Sequence, residues 1–193
     1  MSTTTLSTIA YYSAMVIGIF GTIMFLRFDW KRYGLLFSLS AFFAILLCYL
    51  FVVFGFYSFP YIPLHQLKLP VYTMIVTFPL GVMIGVRYSP RKWAWKIPFY
   101  WGFIHIGVFI EVMIKLHTNL FQFRFQWDIW DSYTWWWIYF LLFEWIGGKI
   151  IPNHLRKPIP IKKFHYGQWG WLILHVIVII TIFLAGYYLG KVS

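Results

Sequence analysis

The sequence predicts an all-α membrane protein, a bundle of six transmembrane helices with both termini outside. Three observations carry this expectation. Of 193 residues, 61% are hydrophobic and 11% charged, where a soluble domain carries about 25% charged residues. Six apolar runs have crossing length. Cationic residues are abundant in one connection and scarce in the next. A water-soluble monomer of this length cannot hide so much apolar surface, so the solvent of the fold is lipid. A soluble enzyme, a secreted disulfide scaffold and a disordered tail are excluded.

The runs fall at about 6–26, 34–57, 69–86, 97–116, 132–151 and 169–190, each near the roughly 20 residues that span a hydrocarbon core. Each is expected to be helical, because lipid offers backbone groups no partner. The first run lacks a basic start and a small-residue cleavage site, and reads as a retained helix rather than a signal peptide. The second holds the single cysteine, Cys48, which reads as a small hydrophobe. The third is the shortest and is interrupted by Pro79, so a re-entrant segment is its alternative. It carries Gly81 and Gly85, and the sixth run carries Gly186 and Gly190. This spacing lets helices approach closely, within the bundle or between protomers.

Between the fourth and fifth runs, Phe121, Phe123, Phe125 and Trp127 alternate with Gln122, Arg124, Gln126 and Asp128. Period two makes an extended stretch with one apolar face. It lies flat on the outer leaflet or folds over the bundle mouth as a lid. No repeat and no flexible linker divides the chain, so residues 1–193 form one domain.

The formal net charge is +11. Connection one (Arg27, Lys31, Arg32), connection three (Arg87, Arg91, Lys92, Lys96) and connection five (Lys149, Arg156, Lys157, Lys162, Lys163) hold twelve of the sixteen Lys and Arg residues. Lys68, Lys115, Arg124 and Lys191 fall on the other side. By the positive-inside rule the odd connections are cytoplasmic and both termini are outside. Trp30, Trp93, Trp95, Trp127, Trp130, Trp169 and Trp171 cluster at run ends, where their rings suit the headgroup layer. The expected partners are the bilayer itself and anionic lipid headgroups on the cytoplasmic side, met by Arg91, Lys92, Arg156, Lys157, Lys162 and Lys163. No nucleic acid partner is expected, and a homo-oligomer is compatible with the glycine spacing.

An ionisable side chain inside a span costs about 2.5–3.5 kcal/mol on insertion scales and usually faces the bundle interior. Glu144 has no charged residue at i±3 or i±4. Gly148, one turn on, leaves room for another helix. At about 1.5 Å per residue, Glu144 lies roughly 10 Å from the cytoplasmic end of its helix, His105 roughly 12 Å and His175 roughly 9 Å. Three helices could bring them to one level as an intramembrane polar site for proton relay, cation binding or acid–base chemistry. On the outer side, Glu111 precedes Lys115 at i+4, the favourable order for an ion pair. Asp131 is placed to cap the fifth helix. With Asp128 and Glu111 it makes a candidate outer carboxylate cluster. Asp29 balances the cations around it.

The chain carries no His-Glu-x-x-His, no Gly-x-Ser-x-Gly, no phosphate-binding loop and no Cys/His metal spacing. No catalytic residue, metal or cofactor is expected. Three function classes follow: a non-enzymatic binding, sensory or interaction protein first, a small transporter or channel using the intramembrane Glu and His residues second, and a membrane enzyme acting on a lipid or isoprenoid third.

Asp29-Trp30-Lys31-Arg32-Tyr33, Tyr88-Ser89-Pro90 before Trp93 and Trp95, Glu111, the Trp-rich fifth run, and Pro152 with Leu155-Arg156 form a set of landmarks. From Arg27 to Pro158 the chain resembles a group of small uncharacterised multi-pass membrane proteins of spore-forming Firmicutes. The resemblance implies a bacterial cytoplasmic membrane and an unassigned role, and carries over no functional residue.

Overall fold

Local chemistry starts and stops the helices. The computed structural model describes residues 2–63, 69–164 and 167–192; Lys68 lies outside them, as do the side chains of Lys163 and Trp169. The elements are α1 (Thr3–Leu26), α2 (Trp30–Val53), β1 (Tyr57–Ser58), α3 (Val71–Tyr88), α4 (Trp93–His117), β2 (Gln122–Phe123), α5 (Ile129–Ile150) and α6 (Gly167–Val192). Short 3₁₀ turns at Asn153–Leu155 and Ile161–Phe164 lie between α5 and α6. The fold is all-α in its main elements. Five of the six helices, α1 to α4 and α6, are long and apolar enough to cross a membrane. The 22-residue α5 has comparable length, but its tryptophans and tyrosines lower its mean hydropathy.

Asp29 caps α2 by accepting from the Arg32 backbone N–H at 3.0 Å, which satisfies one of the free donors at a helix start. Its other oxygen lies 3.8 Å from Arg32 Nε, so charge balancing and capping coincide. The cap of α5 is Asp128, one turn earlier than expected. Asp128 accepts from the Trp130 and Asp131 N–H groups, and Asp131 accepts from the Asp128 N–H at 2.9 Å. This reciprocal box engages one oxygen of each carboxylate.

α2 ends at Val53, earlier than its apolar run. Gly55 adopts φ +77°, and the Phe56 N–H reaches back to the Phe51 carbonyl at 2.8 Å while the Gly55 N–H reaches Val52 at 3.0 Å. That pair of bonds closes the helix with a left-handed glycine. Pro79 does not interrupt α3, which runs unbroken through it and packs against α1, α2 and α5. The third run is thus one continuous helix rather than a broken one.

Small residues set the close approaches. A Cβ on Gly81 would lie 3.1 Å from the Phe140 ring, and one on Gly85 2.7 Å from the Tyr100 hydroxyl. This glycine pair therefore packs inside the bundle. Gly147, rather than Gly148, admits a neighbouring helix: a Cβ there would overlap the Val86 methyls. Around these contacts Tyr33, Leu36, Met83, Ile104 and Phe143 are fully buried. α6 is peripheral. It touches α4 and meets α5 through Tyr188 and Trp130. Ile179, Ile182 and Phe183 are exposed, and a Cβ on Gly186 would meet nothing within 4 Å.

Successive helices alternate in direction, so the connections sort to two ends. At one end Thr8 meets Tyr61 at 2.8 Å and the Asn119 N–H donates to Ser7. There the aromatic stretch is extended only at β2, which pairs antiparallel with β1, Tyr57 opposite Phe123. It then turns through left-handed Phe125 and Gln126, so the period-two face is not continued. At the other end Arg87 Nη1 donates to the Leu155 carbonyl at 2.7 Å. The Lys157 and Ile159 N–H groups donate to the Arg87 and Tyr88 carbonyls. The α5–α6 connection is thus tied across the end of α3.

Candidate functional site

Two carboxylates are held inside the bundle, one near each end. Glu111, late in α4, faces a cavity of about 520 Å³ bounded by α1 to α5. Its wall is apolar for the most part, with Ala14, Cys48, Phe59, Gly107, Phe121 and Trp136 among the lining residues, and Tyr57 joins them beside Glu111. The β1–β2 pair places Tyr57 there. Trp136 Nε1 donates to Glu111 Oε2 at 2.8 Å, Ser132 Oγ lies 2.7 Å from both carboxylate oxygens, and the Tyr57 hydroxyl donates to Oε1 at 3.0 Å. Three donor hydrogens therefore face one carboxyl group. Ser132 and Trp136 share a face of α5 because they are four residues apart.

The expected Glu111–Lys115 ion pair is not made. Lys115 Nζ sits 4.1 Å above the Phe123 ring instead, because β2 brings that ring over the last turn of α4. No cation lies within 4 Å of Glu111 among the described residues. Asp128 and Asp131 cap α5, and the expected outer carboxylate cluster with Glu111 is not assembled among the described residues. Burial raises the Tyr57 hydroxyl above the ordinary tyrosine value, and the nearby Glu111 carboxylate adds to the rise.

Glu144, in the last turns of α5, is 1% exposed. It is not unpaired. Lys96 forms a direct ion pair with Oε1, and Arg156 Nη1 lies 3.2 Å from the same oxygen. Ser89 and Tyr100 donate to Oε2 at 3.0 and 2.7 Å. All four partners come from other segments, which is why helical spacing around Glu144 did not find them. A signal existed in Lys96 and Tyr100, which share a face one turn apart. Gly148 makes room for the Arg156 guanidinium, since a Cβ there would lie 3.4 Å from Nη2. Arg156 is turned toward Glu144 and half-buried, and Arg87 and Lys96 are buried. Arg91, Lys92, Lys157 and Lys162 are exposed.

The histidines do not join Glu144. His105 Nδ1 bonds the Trp101 carbonyl at 2.8 Å, and His175 Nδ1 bonds the Trp171 carbonyl at 2.8 Å. Each ring also packs on the tryptophan four residues earlier, with centroids 4.4 and 3.9 Å apart. His105 lies 3.5 Å from the Tyr133 hydroxyl. The Trp-x-x-x-His spacing gives Nδ1 of both imidazoles a partner within their own helices, so equal depth brings no convergence. No group of three metal-ligating side chains occurs among the described residues.

Set against protein-family models, curated proteins and solved structures, the chain matches none of them.

Proposed function

We propose that this is an integral membrane protein of a bacterial cytoplasmic membrane whose role is non-enzymatic binding. Its ligand is an amphiphile with an apolar body and a cationic or hydrogen-bond-donating head. All six helices cross the bilayer, α5 included, with both termini outside and the basic connections in the cytoplasm. The alternating helix directions and the skew of Lys and Arg support that orientation.

One observation carries the binding reading: a carboxylate with no cation within 4 Å among the described residues forms part of the wall of a mostly apolar cavity of about 520 Å³. Volumes of roughly 300–1,000 Å³ with a few convergent polar groups typify small-molecule sites. Buried charge is normally paired, and a cationic head supplies the pair. A transporter or enzyme built on Glu144, His105 and His175 has less support, because those groups bond to separate neighbours.

Native mass spectrometry of protein released from nanodiscs carrying dodecylammonium or dodecanol tests the binding. Wild type is expected to retain dodecylammonium one-to-one. Glu111→Gln and the cavity-filling Ala14→Trp should each reduce retention about tenfold, near 1.4 kcal/mol, with helicity unchanged. Equal retention by all three proteins refutes the reading. Labelling of a Lys162→Cys variant, in a Cys48→Ser background, by an impermeant reagent outside intact cells would refute the orientation.

A further inference from the structure

A second pocket, of about 240 Å³, lies at the opposite end of the bundle, between the α3–α4 and α5–α6 connections. Ser89, Arg91, Lys96, Asn153, Arg156 and Pro158 line it. Three of these six are cations, and the carboxylate beside them, Glu144, is already engaged. Glu144 accepts from Lys96, Arg156, Ser89 and Tyr100, which accounts for the four lone-pair sites of a carboxylate. Donor capacity is left over. A lysine ammonium has three N–H groups and an arginine guanidinium five, and Arg156 Nη2 is buried with no acceptor among the described residues. A buried donor without an acceptor is unfavourable. Arg91 and Lys96 also bracket the start of α4, whose positive end adds to a field that favours an anion.

From this arrangement we infer an oxyanion site that takes a phosphate or diphosphate group, held by Arg91, Lys96, Arg156 and Asn153. The pocket is below the usual volume for a drug-sized ligand, which suits a headgroup or a small free anion. Arg91, with its planar fork of donors, suits tetrahedral oxyanions. The group can arrive as the headgroup of a phosphomonoester or diphosphate lipid, or as free phosphate or pyrophosphate.

The test uses the full chain. Pyrophosphate, and inorganic phosphate separately, are titrated into protein in neutral detergent at constant ionic strength, with unfolding temperature and heat of binding as readouts. In parallel, native mass spectrometry follows retention of phosphatidic acid by protein from nanodiscs of phosphatidylcholine with phosphatidic acid. Saturable binding in either arm is expected, weakened about tenfold by Arg91→Gln, as for the loss of one charge-assisted hydrogen bond, and also by Asn153→Ala. Both residues are exposed, so these variants leave the ion-pair cluster intact. Binding in the first arm alone identifies a free anion, and binding in the second alone a lipid headgroup. Absence of saturable binding in both arms, or affinity unchanged in both variants, overturns the inference.

Discussion

Arg156 sets its Nη1 3.2 Å from Glu144 Oε1, reaching back from beyond the end of α5 to a carboxylate inside it. Lys96 holds the same oxygen from α4. The three charges join two helices and a connection, with the Glu144 side chain itself fully buried. Removing the carboxylate strands both cations. Glu144→Leu is expected to destabilise the fold by about 3–5 kcal/mol, the usual result of breaking a buried ion pair by one partner. Adding Lys96→Met should recover part of that loss. Unfolding in mixed detergent–SDS micelles measures both, and additive effects would count against the coupling.

Neighbouring glycines in α5 should respond differently. A methyl at position 147 meets the Val86 side chain, whereas one at 148 stands 3.4 Å from the end of a flexible guanidinium. Gly147→Ala is expected to cost about 1–3 kcal/mol through overpacking, and Gly148→Ala about 0.5 kcal/mol or less. Val86→Ala should relieve the first variant. The same micellar unfolding assay reads all three.

Arg87 ties the α5–α6 connection to the bundle. Its guanidinium reaches the Leu155 carbonyl and the Tyr33 hydroxyl and lies 3.5 Å over the Phe28 ring. Arg87→Met should release this connection while the helices persist. Trypsin cleavage after Arg156 is then expected to quicken about tenfold, in line with the roughly 1.5–3 kcal/mol of a hydrogen bond to a charged group. Unchanged cleavage would show that the backbone bonds of Lys157 and Ile159 suffice.

Tyr57 links the strand pair to Glu111. Its hydroxyl titrates above the unfolded value of 10.0, so the folded protein holds this proton after the unfolded chain has released it. The corresponding stability is fully present below about pH 10 and falls as pH rises beyond it. Tyr57→Phe should flatten the alkaline decline relative to wild type, measured as unfolding temperature between neutral pH and pH 11. Parallel curves for the two proteins would contradict this.

Composition and hydropathy placed all six helices, because a chain this apolar has few ways to satisfy its backbone in lipid. Glu111 and Glu144 stood out in the sequence for the same reason, as ionisable groups within apolar runs. Their partners did not. Tyr57, Ser132 and Trp136 reach Glu111, and Ser89, Lys96, Tyr100 and Arg156 reach Glu144, from segments far apart in the chain. Helical periodicity describes one face of one helix and carries no register between helices. That register follows from where small residues such as Gly85 and Gly147 let backbones close in, and from the side chains that fill the space left. His105 and His175 show the converse. Depth along an axis was readable, but rotation about it was decided by packing, and each imidazole settled on the carbonyl one turn back.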